Sequence, residues 1–182
     1  MVTAQDIKRD LPNFPDEVIE IWLLPIANQQ GMGWPPPNPF ESSDWKWVLG
    51  EKNLDWWKKV KWTLEDTDCS FEKLAGGTQH TIQKMLDAHI GGEKNAYDAA
   101  PERFFDQLKH ILKNGTFPKP IIIVPVKSGL SVIDGNNRIA AHACALSPSL
   151  PAGLLEKIGG QLPSPTQQAW HGKHSEGEML EE

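Results

Sequence analysis

The chain of 182 residues carries 18 Lys and Arg against 24 Asp and Glu, a formal charge of −6, with 39% hydrophobic residues, 8 Trp, 15 Pro and 15 Gly. That length fits one globular domain rich in loops; the acidic balance excludes nucleic-acid binding through a general basic field, and Cys69 and Cys144, far apart, exclude a disulfide framework or a cysteine zinc site. The N-terminus carries Asp6, Lys8, Arg9 and Asp10, and no apolar run approaches the roughly 20 residues of a membrane span, so a soluble cytoplasmic protein without a membrane partner is expected.

Val18, Ile19, Trp22 and Leu23 recur at helical spacing after Pro15 and predict a short amphipathic helix over 16–24. The Gly-, Pro- and Asn-rich run 28–43 predicts a long loop pinned by Trp34 and Phe40. Trp45, Trp47 and Leu49 alternate with polar residues and predict a strand, followed by a helical turn or strand lead at 54–61 and a strand at 60–64. Thr78 is placed to cap a helix through Ile82, Met85, Leu86 and Ile90 that Gly91-Gly92 would end. Pro101 and Glu102 begin a clearer helix whose apolar face is Phe104, Phe105, Leu108, Ile111 and Leu112, closed by Asn114-Gly115. The β-branched run 121–126, the turn 127–129 and the run 130–133 predict a hairpin, and 139–146 an Ala-rich helix.

Chemistry concentrates in Val132-Ile133-Asp134-Gly135-Asn136-Asn137-Arg138, where a buried strand meets a helix start. Helix N-termini present N–H groups and partial positive charge to anions, Gly135 allows close backbone approach, and Arg138 adds a fork of donors. At these residues the sequence resembles the ParB/sulfiredoxin-like superfamily, whose order of helix, Pro-containing linker, strand, turn, strand and DG-x-[HN]-R motif is matched from Pro101 through Ala145. The resemblance implies an α/β (α+β) fold with a small mixed sheet flanked by helices. It would comprise a loop-rich helical N-terminal extension (1–44), a core (45–150) and a C-terminal segment (151–182) within one domain.

It further implies a nucleotide cofactor or substrate (ATP, ADP or CTP) with Mg²⁺, and a phosphotransferase or NTP hydrolase. In such a protein Gly135, Asn136, Asn137 and Arg138 hold phosphate, and Asp134 acts as base or metal ligand. Asn137 stands where the motif often has His, which removes a proton-transferring imidazole, and Asn136 stands where sulfiredoxin has its essential Cys, which excludes that activity. A metal-dependent nuclease and a non-catalytic binding module of a phage or mobile element are the alternative readings.

His142, Thr78, His80 and Trp57 are the candidate substrate-side residues, with an interior packing role the default for His142 and an ordinary helix cap for Thr78. The Trp and Lys of 45–62 read as a stacking patch for nucleic acid or as core; only Trp56 or Trp57 is expected to stack, and alternation assigns Trp45 and Trp47 to a buried face. The segment Trp170-His171-Gly172-Lys173-His174 offers two His three apart to a metal, but Gly172 and its polar flanks predict a solvated tail instead. The oligomeric state has no sequence signal.

Overall fold

The computed structural model describes residues 1–41, 43–90, 101–147 and 153–181. Thr3 opens helix α1 (Ala4–Asp10) with a capping box, its hydroxyl accepting the Asp6 N–H and the Asp6 carboxylate accepting the Thr3 N–H. The helix expected at 16–24 forms and runs on as α2 (Asp16–Val18), a π turn (Ile19–Leu23) and α3 (Leu24–Ala27). Pro25 lacks the N–H that would bond to Ile21, and the preceding turn opens so that Leu24 N–H donates to Ile19 instead. The loop that follows is tied down by indoles, Trp34 Nε1 donating to Asp10 at 2.9 Å and Trp45 Nε1 to the Met32 carbonyl at 3.2 Å.

The strand expected at Trp45, Trp47 and Leu49 is a helix, α4 (Ser43–Val48). Trp45 and Leu49 are an i, i+4 pair and both fully buried, whereas Trp47 is 79% exposed, so the apparent period of two concealed a helical one. After α5 (Leu54–Trp57) comes strand β1 (Val60–Asp68), four residues longer than expected. Helix α6 (Gly76–His89) starts two residues before Thr78, with Ala75 at its cap position; the glycines expected to end it lie outside the described residues. Helix α7 (Pro101–Asn114), the hairpin of β2 (Ile121–Val126) and β3 (Gly129–Asp134), and the helix α8 (Asn136–Leu146) agree with the sequence reading, α8 beginning three residues early. A short α9 (Leu154–Ile158) leads to β4 (Thr166–His174).

The last strand corrects the solvated tail expected at 170–174. It lies inside the sheet, whose order is β1-β4-β2-β3, antiparallel to β1 and parallel to β2. Gly172, which argued against a helix there, is what this strand needs: a Cβ would come within 2.8 Å of the Trp62 ring packed over it. The sheet is therefore mixed and four-stranded, with helices on both faces, an α+β arrangement.

Two cores result. Facing the N-terminal helices, Ile122, Val124 and Val126 meet Phe14, Trp22, Trp45 and Trp57. The aromatic rings interlock there, Trp22 and Trp57 edge to face at 5.3 Å and Phe14 and Trp62 at 4.9 Å. On the other face Ile121, Ile123 and Ala169 meet Ile82, Phe104, Ile111 and the alanines of α8. The two cysteines behave as packing residues, burial pushing the Cys69 thiol up to about 12 and raising Cys144. Among the described residues no helix is long and apolar enough to cross a membrane.

Candidate functional site: a cleft between two helix N-termini

The β3–α8 junction is built around Gly135. Its φ of 104° lies in the left-handed region, and a Cβ would sit 2.5 Å from Ile121 Cγ2, so only glycine fits. The turn starts α8 at once, and Asn136 and Asn137 occupy the first helical turn. Arg138 spends its guanidinium locally: it pairs with Asp134 and donates to the Pro120 carbonyl at 2.9 Å and the Lys119 carbonyl at 3.3 Å. It thereby ties the entry of β2 to the end of β3. Burial raises the Asp134 carboxyl above its ordinary value, against the opposing effect of Arg138 and of the Gly135 N–H it accepts. Asp134 thus presents no bare carboxylate to a metal ion, while a raised carboxyl suits proton exchange better than an ordinary one.

Helix α6 is fixed on the same hairpin. Leu74 forms a bridge to Leu130, Ala75 N–H donates to the Leu130 carbonyl at 2.8 Å, and Val132 N–H donates to the Thr78 hydroxyl at 3.0 Å. The Thr78 side chain therefore stitches α6 to β3 and does not cap the helix. Gln79 reaches back to the carbonyls of Phe71 and Leu74 at 3.0 and 2.9 Å, bracing the approach to the helix.

Both helix starts open onto one cleft of about 950 Å³, lined by Gly77, Thr78 and Thr81 from α6 and by Asn136 from α8; of the residues expected to hold phosphate only Asn136 lines it, and Asp134, Gly135, Asn137 and Arg138 do not. The lining also includes Lys46 and Trp47 from α4, Glu51 and Lys52 from the loop after it, and Glu181 near the C-terminus. Its side-chain charge is balanced, Lys46 and Lys52 against Glu51 and Glu181, the two helix starts add partial positive charge, and its volume falls within the roughly 300–1,000 Å³ of small-molecule sites.

The remaining candidates separate from it. His142 is fully buried, its Nε2 2.8 Å from the Ser164 carbonyl and its ring edge-on to Phe117, an interior side chain as the default reading has it. His80 is exposed on α6. Trp57, a candidate for stacking, is fully buried and donates Nε1 to the Leu49 carbonyl at 3.1 Å, because the aromatic core closes over both its faces. Trp56 is stacked on His174 at 4.8 Å and bonded to Glu178 at 2.7 Å. Lys58 pairs with Asp55 and Lys59 with Glu176, so two lysines of the 45–62 patch are already paired with carboxylates. His171 and His174 are an odd number of residues apart on β4 and point to opposite faces; His171 meets the Thr67 hydroxyl at 2.6 Å, and the two do not share a metal.

The sequence reading included Lys46, Trp47 and Lys52 in its Trp and Lys patch but assigned Trp47 to a buried face, and it did not single out Thr81. A helical reading of 43–48 would have turned Trp47 outward, and Thr81 is one turn beyond Gly77, to whose carbonyl its hydroxyl donates at 3.0 Å. No family model, curated protein or solved structure matches the chain.

Proposed function

We propose that this protein is a nucleotide-binding enzyme of the ParB/sulfiredoxin-like type that carries out phosphoryl transfer or hydrolysis. The phosphates lie in the cleft between the starts of α6 and α8. The observation that carries the reading is the convergence of these two helix N-termini on one cleft, whose lining also holds Lys46 and Lys52 beside Glu51 and Glu181. Backbone N–H groups and helix dipoles stabilise phosphate charge without reorganising, the arrangement that phosphoryl transfer rewards most. Asp134 and Arg138 do not line the cleft, so they take no direct part in this phosphate site; their pair and the Arg138 bond to the Pro120 carbonyl hold the start of α8 in place.

Gly77→Asp tests the cradle. A Cβ at Gly77 meets nothing within 4 Å, and a carboxylate in the first turn of α6 complements the helix dipole, so the fold is retained. Titration calorimetry with ATP, ADP and CTP, with and without Mg²⁺, should show binding to the wild type and at least tenfold weaker binding to the variant. Equal affinity in the two proteins, or no binding to the wild type, overturns the reading.

A further inference from the structure

Of the eight Trp, seven are buried or half-buried, and Trp47 alone is 79% exposed. Its ring lines the same cleft as Thr81 and Asn136. Resting on the phosphate reading above, we propose that Trp47 is the platform on which the base of the bound nucleotide stacks, so that the ligand is a whole nucleoside phosphate and helix α4 supplies its base site.

Three observations hold Trp47 in that role. Trp45, two residues earlier, is fully buried, edge to face with Trp34 at 5.4 Å and bonded through Nε1 to Met32, which fixes the rotation of α4 and turns Trp47 away from the core. The helix is then closed firmly: Gly50 lies at φ 59°, and Glu51 N–H donates to the Lys46 carbonyl at 2.7 Å, so the platform does not fray. Finally, the cleft is far larger than phosphate groups alone require, and its side-chain charges, Lys46 and Lys52 against Glu51 and Glu181, balance, which leaves room for an uncharged base beside the ring.

An indole face stacks on any base, because every base presents a π-surface. Selectivity for one base is therefore weak, and purine nucleotides bind more tightly than pyrimidine ones through their larger stacked area.

The test compares ATP, CTP and tripolyphosphate, which lacks a base, on wild type, Trp47→Ala and Trp47→Phe, with near-UV circular dichroism to confirm folding. Trp47→Ala should weaken ATP roughly 10- to 100-fold and leave tripolyphosphate unchanged, and Trp47→Phe should keep most of the ATP affinity. Wild type that binds tripolyphosphate as tightly as ATP, or Trp47→Ala that binds ATP normally, overturns the base platform while leaving the phosphate cradle standing. Wild type that binds neither removes both. A loss of self-association in Trp47→Ala with nucleotide affinity intact assigns the ring to a contact between copies, and also overturns the proposal.

Discussion

Trp45 and Trp47 stand two residues apart on α4 and face opposite ways, one fully buried and one 79% exposed. Two residues of helix rotate a side chain by about 200°, so a single turn supplies both the anchor of the N-terminal core and the rim of the cleft. Trp45→Ala should cost about 3–5 kcal/mol through the cavity and the lost ring contacts, and Trp47→Ala less than about 0.5 kcal/mol. Urea unfolding of the two variants decides this; equal costs would mean that Trp47 packs against the fold.

Gly135 is required twice over, by its positive φ and by Ile121. Gly135→Ala should destabilise the protein by about 1–3 kcal/mol and loosen the start of α8. Hydrogen exchange on the first turn of α8 reports the second effect, and a variant as stable as wild type would contradict the geometry.

Arg138 is 13% exposed and bonds two carbonyls as well as Asp134. Arg138→Met therefore strands a half-buried carboxylate, and should cost about 2 kcal/mol, below the value for a fully buried pair because Asp134 keeps some solvent. Asp134→Asn retains an acceptor for the guanidinium and should cost less. A double-mutant cycle with both changes should show the Arg138→Met penalty shrinking once the carboxylate is gone.

Acid should unfold the protein through its buried histidines. Burial lowers His142 and His171 below the ordinary value of 6.5. His142 donates Nε2–H to the Ser164 carbonyl, so a second proton would go to Nδ1, which is buried and has no partner among the described residues. Because the unfolded chain takes up protons first, stability is fully present above about pH 6.5 and declines as the pH falls through the window between that value and the lowered native ones, with a limiting slope of about 1.4 kcal/mol per pH unit for each histidine. His142→Gln, whose amide keeps a donor for Ser164, should flatten the profile measured by unfolding midpoints from pH 8 to 5.

Local order was legible where one signal dominated. Helix α7 was set by Pro101, a five-residue apolar face and Asn114-Gly115, and the β2–β3 hairpin by its β-branched runs, because these signals lie within a few residues of the structure they specify. The junction at Gly135 was legible for the same reason. The alternation at Trp45, Trp47 and Leu49 was misleading because it fits a strand and also a helix whose buried pair is four residues apart.

The sequence by itself determined the helix–hairpin–helix series around Asp134 to Arg138 and the tight glycine turn within it. Tertiary structure alone decided the rest: that β4 enters the sheet between β1 and β2, that Arg138 is spent on Asp134 and on carbonyls, and that α4 brings Trp47 and Lys46 into one cleft with helix starts far away in the chain. A strand's place in a sheet and a cleft's second wall depend on contacts between segments distant in sequence. No local pattern of side chains encodes which distant partner wins.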